Sequence, residues 1–393
     1  MAFAKTVFWA SAGLLVYTHA GYPAALAAAD RVRRARPGAR PSGTPAPGPI
    51  AAPPADQDLP SVSVIVAAYA EQEVIADRVA NLRALDYPAD RLEVIVCCDG
   101  SPDETAKRAR EAGADAVLEL RRSGKVRAQD AGVERCTGAI VAFSDANARW
   151  APDGLRELVA PFADPAIGYV CGDVRFVNER GDNQEGLYWR YEMAVRTLES
   201  RLRSVTGGTG AIYATRRESY LIVDPIMGHD LSFPFNMVKR GWRAVYAPRA
   251  HASEKMVPTI EGEFARKRRM MSHGWPIVLR GGLLDPRGYD PGYALMIFSH
   301  RLLRYASPFL HASAYVASLA LAIGRGPRLT VYRAAAVLQP ALVVAAFAAI
   351  ALPARPLLVA RYYVLTTASL AAGLWDWLAQ GTEAGWEAAA GTR

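Results

Sequence analysis

Apolar and polar positions change their spacing twice along the chain. Val7 to Ala29 is one apolar run without a charged side chain, followed by Asp30 and then Arg31, Arg33, Arg34, Arg36 and Arg40. About 20 apolar residues cross the hydrocarbon of a bilayer, so residues 1–30 predict a transmembrane helix rather than a signal peptide. The basic cluster after it predicts that its carboxyl end faces the cytoplasm. From Ser61 the pattern is that of a soluble domain. SVSVIVA (Ser61–Ala67), LEVIVCC (Leu92–Cys98) and AIVAFS (Ala139–Ser144) are short, β-branched-rich apolar runs, which predict buried parallel strands. Helical spacing over Val74–Leu85, Glu104–Ala112 and Lys125–Arg135 separates them. Strand–helix alternation predicts an α/β, doubly wound, Rossmann-like sheet. The chain then turns apolar again. Tyr305–Gly324, Val331–Leu352 and Leu357–Leu378, split by GRGPR and PARP, predict about three further transmembrane helices. Arg333 and Arg361 lie near their ends, where a long basic side chain can snorkel.

These shifts set the expected domain order. Residues 1–30 are an amino-terminal transmembrane helix and 31–60 a basic linker with eight prolines between Pro37 and Pro60. Residues 61–286 are a cytoplasmic globular domain and 287–304 an interfacial amphipathic segment. Residues 305–380 are transmembrane helices and 381–393 a tail. There is no internal repeat.

Composition narrows the class. Charged residues make up 21% and hydrophobic residues 51% of 393 residues, with a mean hydropathy of +0.03. Such a balance fits one ordinary domain mixed with lipid-facing segments. Four cysteines without zinc-type spacing exclude a disulfide scaffold and a zinc site. The net charge of +8 suggests anionic partners. Its basic residues cluster beside apolar segments, at Arg31–Arg40 and Arg266–Arg269, which favours lipid head groups and phosphates over nucleic acid.

Candidate chemistry lies at the strand ends, because ligands of doubly wound sheets bind beyond the carboxyl ends of strands. Tyr69 and Glu71 follow the first strand, Asp99-Gly100-Ser101-Pro102-Asp103-Glu104-Thr105 the second, and Asp145-Ala146-Asn147 the third. A turn or a helix cap explains any one of these acids alone; three at one sheet edge point to a site. A carboxylate there can accept a uracil N–H or hold a ribose hydroxyl. Oxygen ligands spaced as in Asp145 and Asn147 can hold a divalent cation, which would neutralise a diphosphate leaving group. Lys125, after Gly124, can reach the same phosphates.

AAYAEQEVI (Ala67–Ile75), DYP (Asp86–Pro88), DGSPDET (Asp99–Thr105), GKVRAQDAG (Gly124–Gly132) and FSDAN (Phe143–Asn147) together closely resemble family 2 glycosyltransferases of the GT-A fold, in their membrane-integrated, polysaccharide synthase-like branch. The resemblance spans roughly Ser61 to Arg304. It implies inverting transfer of a sugar from a nucleotide-diphosphate sugar, with a UDP-sugar the expected donor. It implies that Asp99 contacts the nucleobase, that Ala67, Tyr69 and Glu71 line the nucleotide pocket with Lys125 and Asp145, and that Asp145 and Asn147 hold Mg²⁺ or Mn²⁺. Asn147 stands where the family usually has Asp. Asp230 keeps the general-base position, while His229 replaces the acid before it. His229 is expected at the pocket mouth, and a helix cap is the plainer alternative for Asp230. In the family's Q-x-x-R-W landmark, Arg269 keeps the Arg and is expected on the diphosphate; Arg266 and Met270 replace Gln and Trp. The lost Trp argues against processive polymer synthesis, and Trp275 lies five residues on. TGGTGAIYATRRE (Thr206–Glu218) resembles the acceptor-side loop, so Gly208, Thr209 and Gly210 are acceptor candidates. Trp189 is another, with core packing weighed equally.

The implied protein is a multi-pass enzyme of the cell membrane that works with a nucleotide-sugar donor, a glycan or lipid-linked acceptor and membrane lipids. A non-catalytic nucleotide-sugar-binding scaffold is the competing expectation.

Overall fold

A computed structural model describes residues 1–35, 55–177, 186–257, 260–323, 330–352 and 354–385. Most of the linker expected at 31–60, including Arg36 and Arg40, lies outside the described residues.

The chain divides into two compact units. The larger comprises Leu26–Gly262, Pro276–Ala294 and Thr382–Arg393; the smaller comprises Met1–Ala25, Glu263–Trp275 and Leu295–Gly381. In chain order the helices are α1 (Ala2–Val16), α2 (Tyr22–Ala35), α3 (Ile75–Arg83), α4 (Thr105–Glu111), α5 (Lys125–Arg135), α6 (Gly154–Val159), α7 (Leu187–Leu202), α8 (His229–Lys239), α9 (Ile260–Leu279), α10 (Pro291–Met296), α11 (Leu303–Ala322), α12 (Thr330–Ala348) and α13 (Arg355–Gln380). The strands are β1 (Val62–Ala68), β2 (Leu92–Asp99), β3 (Ala116–Leu120), β4 (Ile140–Asp145), β5 (Arg149–Trp150), β6 (Ile167–Val177), β7 (Tyr213–Arg216) and β8 (Arg243–Lys255).

The larger unit is built on one eight-stranded sheet in the order β3-β2-β1-β4-β7-β6-β8-β5. Its first half is parallel, with β1 between β2 and β4 and β3 outside β2. Side chains alternate along β1. Val62, Val64, Val66 and Ala68 enter one buried cluster, and Ile65 and Ala67 the other, so both faces of the strand are covered. On the second face α5 comes very close: a methyl on Gly132 would lie 2.8 Å from Ile65 Cγ2 and 2.9 Å from Cys97 Sγ. All four cysteines are buried and none forms a disulfide.

The second half of the sheet departs from the expected doubly wound pattern. β7 runs antiparallel to β4 and β6, β8 is parallel to β6, and β5 is antiparallel to β8. The fold is therefore a GT-A-like α/β fold with a mixed sheet. β8 runs through Pro248 to Lys255. Within this unit Tyr293 is buried and its hydroxyl donates to Val205 O at 2.9 Å. Residues 287–294 belong to the larger unit.

The smaller unit is helical. Trp9 Nε1 donates to Tyr332 OH at 3.2 Å, and Thr18 Oγ1 to Ser299 O at 2.8 Å. Arg268 makes a two-pronged ion pair with Asp376, both contacts at 2.6 Å. Among the described residues two helices, α12 and α13, are long and apolar enough to cross a membrane, against the four spans expected.

Candidate active site

The loops at the carboxyl ends of β1, β2 and β3 are joined by the side chains of the Asp99–Thr105 motif. Ala70 stands at φ +52°, an unusual backbone for a non-glycine residue. Three successive amides there each meet a motif side chain: Ala70 N–H donates to Ser101 Oγ at 3.2 Å, Glu71 N–H to Thr105 Oγ1 at 2.9 Å, and Gln72 N–H to Asp103 Oδ2 at 3.2 Å. Asp103 also receives the Thr105 N–H at 3.1 Å. Burial raises its pKa, but these hydrogen bonds outweigh burial and hold it below the ordinary value. Sequence reasoning marked this motif for its acids and missed that Ser101 and Thr105 build the loop.

Asp99 is fully buried. Its two oxygens accept the amides of Ser123 at 2.6 Å and Gly124 at 2.9 Å. It therefore latches the loop that leads into α5. Gly100 at φ +68° lets the chains close up, since a methyl there would lie 2.8 Å from Arg122 N. The Arg122 guanidinium in turn stacks 3.1 Å above the Tyr69 ring, a contact the sequence did not signal. Glu71 is buried. Ala67 is buried in the core on the α5 face of β1. Ala384 packs on Gly124, whose φ of +99° opens α5.

The Asp145–Trp150 segment alternates. Ala146, Ala148 and Trp150 are buried, whereas Asp145 and Asn147 are half-buried and Arg149 is exposed. β4 ends at Asp145 and the chain turns there, Ala148 N–H donating to Asp145 O at 3.3 Å, which leaves Asp145 and Asn147 as the accessible positions of the turn. Lys125 Nζ forms an ion pair with Asp145 Oδ1. Burial lowers the Lys125 pKa, but Asp145, with help from Asp230 and Glu254, outweighs it and leaves the ammonium above its ordinary value. Gly210 lies against this pair: a methyl there would sit 3.6 Å from Lys125 Nζ and 3.8 Å from Asp145 Oδ2. A methyl on Gly208 would overlap the Tyr169 hydroxyl. At Gly208 only glycine permits so close an approach to Tyr169, whereas a methyl at Gly210 would make ordinary contacts. Gly208 N–H donates to Asp230 O at 2.6 Å, and Arg196 Nη2 donates to Gly208 O at 2.9 Å.

Asp230 sits in the first turn of α8, whose N-cap is Gly228. The plainer expectation of a helix cap is thus not what the structure shows. Its neighbour corrects a second expectation. His229 is not at a pocket mouth but 4% exposed, stacked on Phe233 at 3.9 Å among Phe143, Tyr213 and Tyr220. Its Nδ1 lies 2.7 Å from Tyr213 OH, which accepts from Gln129 Nε2 at 3.1 Å. Burial, then the Lys125 charge, pulls its pKa from 6.5 to about 3. The folded protein therefore holds a neutral histidine that the unfolded chain would protonate more readily. Stability from this source is present above about pH 6.5 and falls as pH drops toward 3. The midpoint of thermal unfolding, measured from pH 7.5 to 4.5, should fall less steeply in His229→Gln than in the natural protein.

Other expected residues lie elsewhere. Trp189 on α7 is half-buried and packs edge-on against Phe176, 5.1 Å between ring centres. Trp275 is 5% exposed and donates Nε1 to Leu370 O at 2.8 Å, so it is committed to the helical unit. Arg269 lies on α9 within the helical unit.

The implied divalent cation fits these residues in part. Asp145 and Asn147 offer one carboxylate and one amide, hard oxygen ligands suited to Mg²⁺ or Mn²⁺. Among the described residues there is no cluster of three or more His, Cys, Asp or Glu side chains that could hold a metal ion. The set suits a cation whose remaining ligands come from a bound diphosphate.

Comparison with known proteins agrees with the geometry. The family profile "Glycosyl transferase family 2" matches residues 63–221. An N-acetylglucosaminyltransferase of Mesorhizobium japonicum is 27% identical over 239 residues, covering 55% of this chain and 56% of that protein. A poly-beta-1,6-N-acetyl-D-glucosamine synthase of Staphylococcus aureus is 24% identical over 235 residues, covering 57% of each. The chain thus spans a little over half the length of these curated relatives. Among solved structures, the mannosyltransferase PcManGT of Pyrobaculum calidifontis, in complex with GDP-Man and Mn²⁺, is similar with a TM-score of 0.68 and 24% identity, covering 96% of this chain and 98% of that one. That likeness is one of fold.

Proposed function

We propose that this chain, which carries a glycosyltransferase family 2 domain, transfers a sugar with inversion from a nucleotide-diphosphate sugar to a glycan or lipid-linked acceptor. The observation that carries the reading is the convergence of Lys125, Asp145, Gly210 and Asp230 at the carboxyl ends of the parallel strands. Tyr69 and Arg122 form the base-side wall, with Asp99 holding the loop between them and Lys125. Asp145 and Asn147 would hold the cation, which supplies charge neutralisation of the leaving diphosphate. Lys125, above its ordinary pKa, stays charged and can turn from Asp145 to a diphosphate oxygen. The glycine loop brings the acceptor hydroxyl within reach of Asp230. As the hydroxyl oxygen bonds to the anomeric carbon, its proton passes to the Asp230 carboxylate. The bond from that carbon to the diphosphate oxygen breaks, and the electron pair leaves with the diphosphate. Arg269 is the further diphosphate contact this reading assigns.

The relatives' names favour an N-acetylglucosamine donor, and the acceptor stays at the level of a glycan or glycolipid. The reading also includes the membrane. On α12 and α13, Val337, Leu338, Val344, Phe347, Val359 and Leu378 are exposed. Long apolar helices with apolar outer faces suit lipid better than water. Nucleotide sugars are supplied in the cytoplasm, so the globular unit is assigned to that side.

Purified full chain should hydrolyse one member of a panel of UDP-, GDP- and dTDP-sugars with Mn²⁺ or Mg²⁺, with UDP-N-acetylglucosamine tested first. Nucleotide binding without turnover across the panel would instead favour the scaffold, and neither binding nor turnover would sink both readings.

A further inference from the structure

Trp150 is among the largest fully buried side chains, 1% exposed, and no catalytic step uses it. It sits where three loops meet. Its backbone is clasped on both sides by Asn81 of α3: Trp150 N–H donates to Asn81 Oδ1 at 2.9 Å, and Asn81 Nδ2 donates to Trp150 O at 3.1 Å. Arg78, one turn earlier on α3, donates Nη1 to the same Asn81 oxygen and lays its guanidinium 4.9 Å from the centre of the Trp150 ring. Arg78 is 2% exposed, and its Nε and Nη2 have no hydrogen-bond partner. The face of the indole is therefore a principal contact of this cation. On the far side, Trp150 Nε1 donates to Ala211 O at 2.9 Å in a fully buried bond. Ala211 ends the glycine loop, and Gly208 of that loop donates its N–H to Asp230 O.

One chain of contacts thus runs from α3, which follows the Tyr69–Glu71 loop, through the segment bearing Asp145 and Asn147, to the glycine loop and the first turn of α8. Buried hydrogen bonds of this kind fix relative positions, because breaking one leaves a buried carbonyl unsatisfied. We propose that Trp150 is a positioning residue that sets the acceptor loop, and through it Asp230, against the Asp145 segment. The inference rests on the donor-site reading above. It assigns to one indole N–H the task of making the acceptor side respond when a nucleotide occupies the donor side.

Trp150→Phe keeps an aromatic ring near Arg78 and removes the N–H together with part of the buried indole volume. The test is hydrogen–deuterium exchange on the full chain, with and without UDP and Mn²⁺, read at residues 121–126 and 206–212. In the natural protein UDP with Mn²⁺ should slow exchange in both segments. In Trp150→Phe the first segment should keep its protection, while the second exchanges roughly tenfold faster and no longer responds to UDP. Protection of both segments in the variant overturns the role of Trp150 and leaves the donor site standing. No protection of either segment in the natural protein overturns the donor site, and this inference with it. Should Trp150→Phe fail to fold, Asn81→Ala cuts the same chain at its other end. Unlinked protection of 121–126 and 206–212 in that variant would support the coupling, and linked protection would refute it. With an active donor, Trp150→Phe should lower kcat for transfer and leave the donor KM within about twofold, a split that general destabilisation does not produce.

Discussion

Asp230→Asn is expected to lower sugar transfer by roughly 10²–10⁴-fold, the usual cost of losing a general base, while UDP binding and the unfolding temperature stay near those of the natural protein. The amide keeps the shape of the carboxylate but cannot take the acceptor proton. Folding should tolerate the change because α8 is opened by Gly228, and because the bond from Gly208 uses the Asp230 backbone oxygen. Gly228 leaves room for the side chain, since a methyl there would lie 2.8 Å from Asp230 Oδ1, and an isosteric amide adds no bulk. Single-turnover transfer, UDP titration and a melting curve decide the matter together. Loss of all three would return Asp230 to a structural role. Transfer near the natural rate would mean that another group is the base, and His229, buried and neutral, is poorly placed to be that group.

Asp145→Ala is expected to remove divalent-dependent turnover, by at least about 10²-fold on the scale of single electrostatic deletions in active sites. Two effects combine. The one carboxylate of the Asp145–Asn147 turn disappears, and Lys125 loses its ion-pair partner. Binding of Mn²⁺ in the presence of UDP, followed by electron paramagnetic resonance, should vanish in Asp145→Ala. In Asn147→Asp it should persist or tighten, since a second carboxylate strengthens a hard-oxygen site. Unaltered Mn²⁺ binding in Asp145→Ala would place the cation elsewhere.

The parallel half of the fold was legible because its strands are buried on both faces and read as continuous β-branched runs; α5 begins and ends as its spacing predicts, at Lys125 and Arg135. The other half was harder to read. β7 has four residues and β5 two, too short for a period, and β8 runs through Pro248 as a long mixed-polarity strand. The acids of the site stood out through their place at strand ends. The residues that hold them did not, because the partners are far apart in sequence: Asn81 and Trp150 are 69 residues apart, Trp150 and Ala211 61. A lone Trp or Asn carries no signal of such a bond. His229 was misplaced for a related reason. Its neighbour on the chain is Asp230, the proposed base, but one step along a helix turns a side chain by about 100°, which sends His229 into the aromatic core.

The pairing of Lys125 with Asp145 has a consequence for ionic strength. Asp145, Asp230 and Glu254 all act on the single ammonium of Lys125, so a lone anion meets an unfavourable field unless a cation accompanies it. A diphosphate and a divalent cation arriving together bring opposite charges of equal size and leave that field nearly unchanged. Joint uptake of the pair should therefore respond weakly to added salt, while uptake of the diphosphate alone works against the field.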